Sequence, residues 1–245
     1  MNRKLDYSTV WRATQSQLTA HREGVGAISG LFLFLPDWIA RLFAGQPDLE
    51  GASTPAQMLL AFQDFYLENW PVLLPTGLLG FFGAVAVYVL LTRQDLATIG
   101  SALGKALALL PFYFLVQVSG GLIMLGGFLL IILPGMYLSG RLTPLGAIAV
   151  AETDRGFAGT FSRAWELTRG KGWSVFFLTL IVALVASLTA MIVGLMVGLT
   201  CRLLAGPEGV PFVETGIDAA LGAVIATLMV SLTVAIYRHL SAQNG

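Results

Sequence analysis

Polar and apolar residues divide this chain into long blocks. Apolar runs almost free of charge separate clusters of charge, and each run suits a helix crossing a hydrocarbon layer about 30 Å thick, which takes about 20 residues. The runs predict six spans, at 24–43, 71–92, 106–127, 129–151, 173–204 and 212–237. The expected fold is all-α, a polytopic six-helix transmembrane bundle with amphipathic surface helices, in which a segment 1–23 precedes a membrane domain 24–240.

The connecting blocks carry patterns of their own. Tyr7, Val10, Trp11, Thr14 and Leu18 recur at three- and four-residue spacing, which predicts an amphipathic helix on the inner surface. No short apolar core with a small-residue cleavage site follows the first charges, so this segment is expected not to be a removable signal peptide. Asp37 and Arg41, four apart, read as an interfacial ion pair near the outer end of the first span. Thr54-Pro55-Ala56-Gln57 is a helix start, with an N-cap hydroxyl, proline at the first helical position and glutamine placed for a capping box. Beyond it, Met58, Leu59, Phe62, Phe65, Tyr66 and Trp70 face one way and Gln57, Asp64 and Glu68 the other, as in a helix lying on the outer surface.

Residues 106–140 contain no charge, and with 141–151 they are long enough for two crossings. A hairpin must turn within them. Gly126-Gly127 and Pro134-Gly135 both break a helix, and periodicity does not choose between them. In the fifth span Ala186, Ala190, Gly194 and Gly198 form a small-residue ridge that admits another helix at close range, from the same chain, a second copy or a partner membrane protein. Gly206-Pro207-Glu208-Gly209 reads as a turn, with Glu214 and Asp218 at the outer end of the last span.

Composition agrees with this pattern: 11% of residues are charged and 56% hydrophobic, against about a quarter charged in soluble domains. Lipid is the expected partner. The zero net charge gives no argument for nucleic acid, and Cys201, the single cysteine, can form no intrachain disulfide. The charges are unevenly placed. With the amino terminus inside, eleven of the 14 Lys and Arg fall in inner segments and two, Arg41 and Arg202, in outer ones. This positive-inside bias predicts that both termini are cytoplasmic.

Arg141 is the remaining cation, inside a span, where a guanidinium must be paired or face a wet cavity. Asp37, Glu214, Asp218 and carbonyls freed near Pro134 and Pro144 are its expected partners. It either cross-links two helix ends near the outer interface or joins Tyr137, Gln117, Ser139 and Thr143 in a polar pocket for an anionic headgroup or small anion. Its depth follows from where the hairpin turns. Downstream, Phe157, Phe161, Trp165 and Thr168 share one face of a short basic helix, flanked by Arg163 and Arg169 and followed by Lys171, a pattern suited to lipid headgroups. No metal cluster, catalytic triad or phosphate-binding glycine loop is legible, so no cofactor and no enzymatic activity are expected.

Leu133-Pro134-Gly135-Met136-Tyr137-Leu138, Arg141-Leu142, Pro144, Glu152, and Ser162-Arg163-Ala164-Trp165-Glu166-Leu167-Thr168-Arg169-Gly170 with Trp173 resemble the membrane domain joined to some bacterial glycerophosphoryl diester phosphodiesterases. The same residues are similar to the uncharacterised YciC-type inner-membrane proteins. In the fused enzymes catalysis resides in a soluble barrel that has no counterpart here, so the resemblance implies the membrane module of the bacterial inner membrane without the hydrolase. The expected function is a non-enzymatic lipid- or anion-binding or scaffolding module. The competing expectation is a small-solute or lipid transporter or channel with a path past Arg141, Gln117 and Tyr137.

Overall fold

The computed structural model describes residues 5–93, 98–205 and 210–244. The described chain is all-α, with no strand. Its helices are α1 (Tyr7–Ala20), α2 (Arg22–Ser29), α3 (Leu35–Ala44), α4 (Pro55–Thr92), α5 (Ile99–Leu130), α6 (Ile132–Leu142), α7 (Leu145–Ala151), α8 (Gly156–Leu167), α9 (Gly172–Ala205) and α10 (Val210–Asn244). A π-helical turn, Gly30–Phe34, joins α2 to α3, and a 3-10 turn, Thr153–Arg155, joins α7 to α8. Among the described residues five stretches are long and apolar enough to cross a membrane: Arg22–Ala44, Pro55–Thr92, Ile99–Leu130, Gly172–Cys201 and Phe212–Gln243.

Local signals explain several elements. The carboxylate of Asp6 caps α1 by accepting from the backbone N–H groups of Ser8 and Thr9. The capping box at Thr54 and Gln57 forms and starts α4. This helix then runs unbroken for 38 residues, about 57 Å. The expected outer surface helix and second span are therefore one rod, with Pro71 and Pro75 inside it. The first span is interrupted by the π-turn. Pro36 offers no N–H to the Phe32 carbonyl and its ring crowds that oxygen, and the wider turn just before it, in which Leu35 donates back to Gly30 O, accommodates the misfit.

The expected fourth span, 129–151, requires correction. Helix α5 continues to Leu130, and the chain reverses at Ile131, whose backbone is extended (φ −159°, ψ 142°). The turn thus falls between the two sites the sequence offered. One glycine of each site serves the closeness of the two arms: a Cβ on Gly127 would stand 2.6 Å from Leu138 Cδ1, and one on Gly135 2.5 Å from Phe128 Cγ. Pro134 sits in the first turn of α6, where its missing N–H costs nothing. The returning arm is two short helices bent at Thr143-Pro144, not one rod.

The core joins α4, α5, α7 and α10, around Val85, Val89, Val116, Ile148, Leu232 and Ile236. α1 lies against α10, where Val10 and Thr14 are buried and Gln17 donates to the backbone of Ser231, while Tyr7 and Trp11 stay exposed. Ser29 and Thr227 share a buried hydrogen bond of 2.7 Å between α2 and α10. One end of the bundle gathers α1, α8, the end of α4 and the end of α10: Arg93 donates to Thr153 Oγ1 at 3.1 Å, and Arg238 to the carbonyl of Leu91. We call this the α8 end. The residues expected as the turn 206–209, and Arg3 and Lys4, lie outside the described residues.

Candidate functional site

Two places concentrate polar chemistry, one at each end of the bundle. At the α8 end, Arg141 leaves the last turn of α6 and is only 2% exposed. Its Nη1 donates to Thr168 O at 3.0 Å and its Nη2 to Trp165 O at 2.8 Å, while the Trp165 ring centre lies 4.0 Å from the guanidinium carbon. These are carbonyls at the closing turn of α8, which carry the negative end of its dipole and lack intrahelical donors. Arg141 therefore caps α8 from another helix. The Thr168 hydroxyl donates to Ala164 O at 2.6 Å on its own helix and lies 3.2 Å from Arg141 O.

The approach needs two glycines. A Cβ on Gly140 would overlap the carbonyl of Gly172, and one on Gly172 would stand 2.8 Å from Tyr137 Cε2 and 2.9 Å from Arg141 Cδ. Their absence lets the start of α9 cross α6 in contact.

This arrangement corrects the expected partners of Arg141. Its hydrogen bonds go to α8 carbonyls, not to Asp37, Glu214, Asp218 or the carbonyls near the prolines. Among its expected pocket companions, Tyr137 lies beside it, 5.7 Å from ring centre to guanidinium carbon. The hydroxyls of Ser139 and Thr143 donate instead to Met136 O and Ser139 O on their own helix, and Gln117, half-buried on α5, makes no hydrogen bond to Arg141.

The four lipid-surface candidates separate in the same way. Trp165, 47% exposed, and Arg169 face outward. Arg163 pairs with Glu152 at 3.3 Å and Glu166 at 3.7 Å. Lys171 is 9% exposed, its ammonium donates to Gln243 Oε1, and burial lowers its pKa. Glu152 is a hub: it accepts from Arg155, Arg163 and, at 2.9 Å, the Tyr237 hydroxyl, tying α8 to α10.

At the far end, α3, α9 and α10 enclose a cavity of about 680 Å³ lined by Arg41, Glu214 and Asp218 among apolar residues. Arg41 is held by Asp37 at 2.9 Å. The α9 ridge is used here within the chain: Ala190, Gly194 and Gly198 form the cavity floor, and Ala186, one turn earlier, is half-buried. The signal for this place was present in the sequence as two matching periods of four, small residues at 190, 194 and 198 and acids at 214 and 218. Neither this cavity nor a second, apolar one of about 400 Å³ between α2 and α10 is lined by Arg141, Gln117 or Tyr137. No group of three or more His, Cys, Asp or Glu that could hold a metal occurs among the described residues.

A family model described as a domain of unknown function (DUF7847) matches residues 61–240. No curated protein and no solved structure matches the chain.

Proposed function

The chain belongs to the DUF7847 family, whose description names no activity, and we propose that it is a non-enzymatic integral membrane module that engages lipid headgroups at its α8 end. The observation that carries this reading is the lock on α8. A helix whose closing turn is capped by a buried arginine from α6 cannot drift from the bundle, so the exposed Trp165 and Arg169 are held at a fixed height relative to the spans. An indole beside a guanidinium at the edge of a helical slab suits the interface, where the ring rests among acyl ends and the cation meets phosphate.

Charge placement supports the same orientation. Arg12, Arg22, Arg93, Arg163, Arg169 and Arg238 gather at the α8 end, whereas Asp48, Glu50, Asp64 and Glu68 lie towards the other. In our reading the α8 end faces the cytoplasm of a bacterial cell and its anionic leaflet. The likeness of residues 133–173 to the membrane module of the glycerophosphoryl diester phosphodiesterases belongs to this proposal and brings no catalytic residue.

The test is hydrogen exchange of residues 156–171 in vesicles of phosphatidylcholine, with and without phosphatidylglycerol. Anionic lipid should slow exchange in the native protein and less so in Arg169→Ala and Trp165→Ala. Equal exchange in both vesicle types would overturn the reading.

A further inference from the structure

Lys171 is a buried cation, 9% exposed, just ahead of α9, and among the described residues no carboxylate pairs with it. Its ammonium donates instead to Gln243 Oε1 of α10. The other end of that amide limits what can stand beside it. Nε2 of Gln243 lies 2.8 Å from Nε2 of His239, one turn back on α10. An amide nitrogen only donates, so the imidazole nitrogen accepts, and the ring must be neutral with its proton on Nδ1. Ammonium to amide oxygen, then amide N–H to imidazole, the three residues form one relay from the start of α9 to the end of α10.

The relay has no second arrangement. A protonated His239 carries N–H on both nitrogens and meets the amide N–H donor to donor. Turning the amide round would give its oxygen to the imidazolium and set its NH2 against the ammonium, which is the same conflict moved to the other side. A released Lys171 ammonium is left buried without an acceptor and must swing out to water. That movement pulls on a turn already in use, since the Lys171 N–H donates at 2.9 Å to Thr168 O, the carbonyl that Arg141 Nη1 also holds. Of the charged groups on neighbouring elements, Asp6 ahead of α1 attracts a charge on the His239 ring and Lys171 repels it. The others are turned elsewhere: Arg12 to Ser8, Arg93 to Thr153, Arg155 and Arg163 to Glu152, Glu166 to Arg163 and Arg238 to Leu91 O, while Arg22, Glu23, Asp154 and Arg169 are exposed.

We propose that His239 is a proton switch on the closing turn of α8. With a neutral ring, Gln243 ties Lys171 to α10. Uptake of one proton from solvent at His239 Nε2 breaks the tie and loosens residues 168–176. The range is that in which imidazole ordinarily titrates, around pH 6.5. The switch operates whether or not α8 meets lipid, and so goes beyond the platform reading.

The experiment is nitrogen NMR of the histidine-labelled full chain in detergent micelles. The chain has two histidines, His21 and His239, so His239→Gln assigns both signals. At about pH 8 His239 should show the Nδ1–H form. Lys171→Met frees the amide to turn and accept from the imidazolium, and should raise the His239 titration midpoint by about one unit, a tenfold gain in proton affinity. In a Gln243→Leu background the same substitution removes charge repulsion alone and should raise it much less. Amide exchange over 168–176, corrected for the intrinsic effect of pH, should be about tenfold faster at roughly pH 5.5 than at pH 7.5 in the native chain, the loss of one charge-assisted hydrogen bond, and indifferent to pH in His239→Gln. An Nε2–H form at about pH 8, equal shifts in the two backgrounds, or native exchange no more sensitive to pH than that of His239→Gln would overturn the proposal. Thermal midpoints show which variants fold, and should Gln243→Leu not do so, the tautomer and the exchange of the native chain against His239→Gln decide the matter.

Discussion

The guanidinium carbon of Arg141 lies 4.0 Å from the centre of the Trp165 ring, and Nη2 of the same arginine donates to the Trp165 carbonyl at 2.8 Å. One residue thus holds another by both its side chain and its backbone, across two helices separated by 24 positions in the chain. Arg141→Ala removes a charged donor from each of two carbonyls at a helix end, of which the Thr168 carbonyl keeps only the Lys171 N–H at 2.9 Å, and opens a space beneath the indole. The expected loss is about 3 kcal/mol or more, from two hydrogen bonds to a charged group. Faster hydrogen exchange over 156–168, beyond any change in α5, would register it. Arg141→Lys should recover less than half, since an ammonium cannot span both carbonyls and stack.

Gly140 and Gly172 are predicted to tolerate no side chain. A Cβ on Gly140 meets a backbone oxygen that cannot move without shifting α9, so Gly140→Ala should cost about 1–3 kcal/mol. Gly126 is the control. Nothing lies within 4 Å of a Cβ there, inside α5, and Gly126→Ala should stabilise the helix by about 0.5–1 kcal/mol. Thermal midpoints of the two variants should move in opposite directions.

Asp6 gives α1 a pH dependence. The hydroxyl of Thr9, then that of Ser8, lower the pKa of its carboxyl from 3.8 to about 2. Because the folded value lies below the ordinary one, the cap's contribution is complete above about pH 4 and fades as pH falls through about 2. Fluorescence of Trp11, followed from pH 5 to pH 2, should report fraying of α1 from α10. Asp6→Asn should flatten that profile, and an unchanged profile would refute the assignment.

Glu152 ties α8 to α10 through Arg163 and the Tyr237 hydroxyl. Glu152→Gln keeps the shape and removes the charge, and is expected to cost about 1–2 kcal/mol. Tyr237→Phe should cost less alone and add little to Glu152→Ala, because both remove the bond from the Tyr237 hydroxyl, whose acceptor the amide oxygen of glutamine would keep. A double-mutant cycle in thermal midpoints measures this directly, and full additivity would show that the bond contributes nothing.

How far the sequence could be read depends on how local each cause is. The start of α4 was legible because Thr54, Pro55 and Gln57 act within one turn, and the pairing of Asp37 with Arg41 because it spans one turn of helix. Gly126-Gly127 and Pro134-Gly135 misled because glycine answers two needs, sharp turning and close approach. Only the neighbouring arm, with Phe128 and Leu138 in place, tells which one applies. Lys171 read as a lipid-facing charge because spacing places it beside a basic helix. Its burial depends on Gln243, which the chain brings to it from 72 positions away.

By itself, then, the sequence determined the helical character of the chain, the runs fit for hydrocarbon and the ends at which charge collects, since these follow from composition and period over a few turns. The tertiary structure decided that the arm returning after Ile131 is bent into two helices, that Arg141 caps α8, and that Arg41, Glu214 and Asp218 share a cavity. Each of these is a meeting of groups far apart in the chain, and spacing carries no information about which helix will lie beside which until they pack.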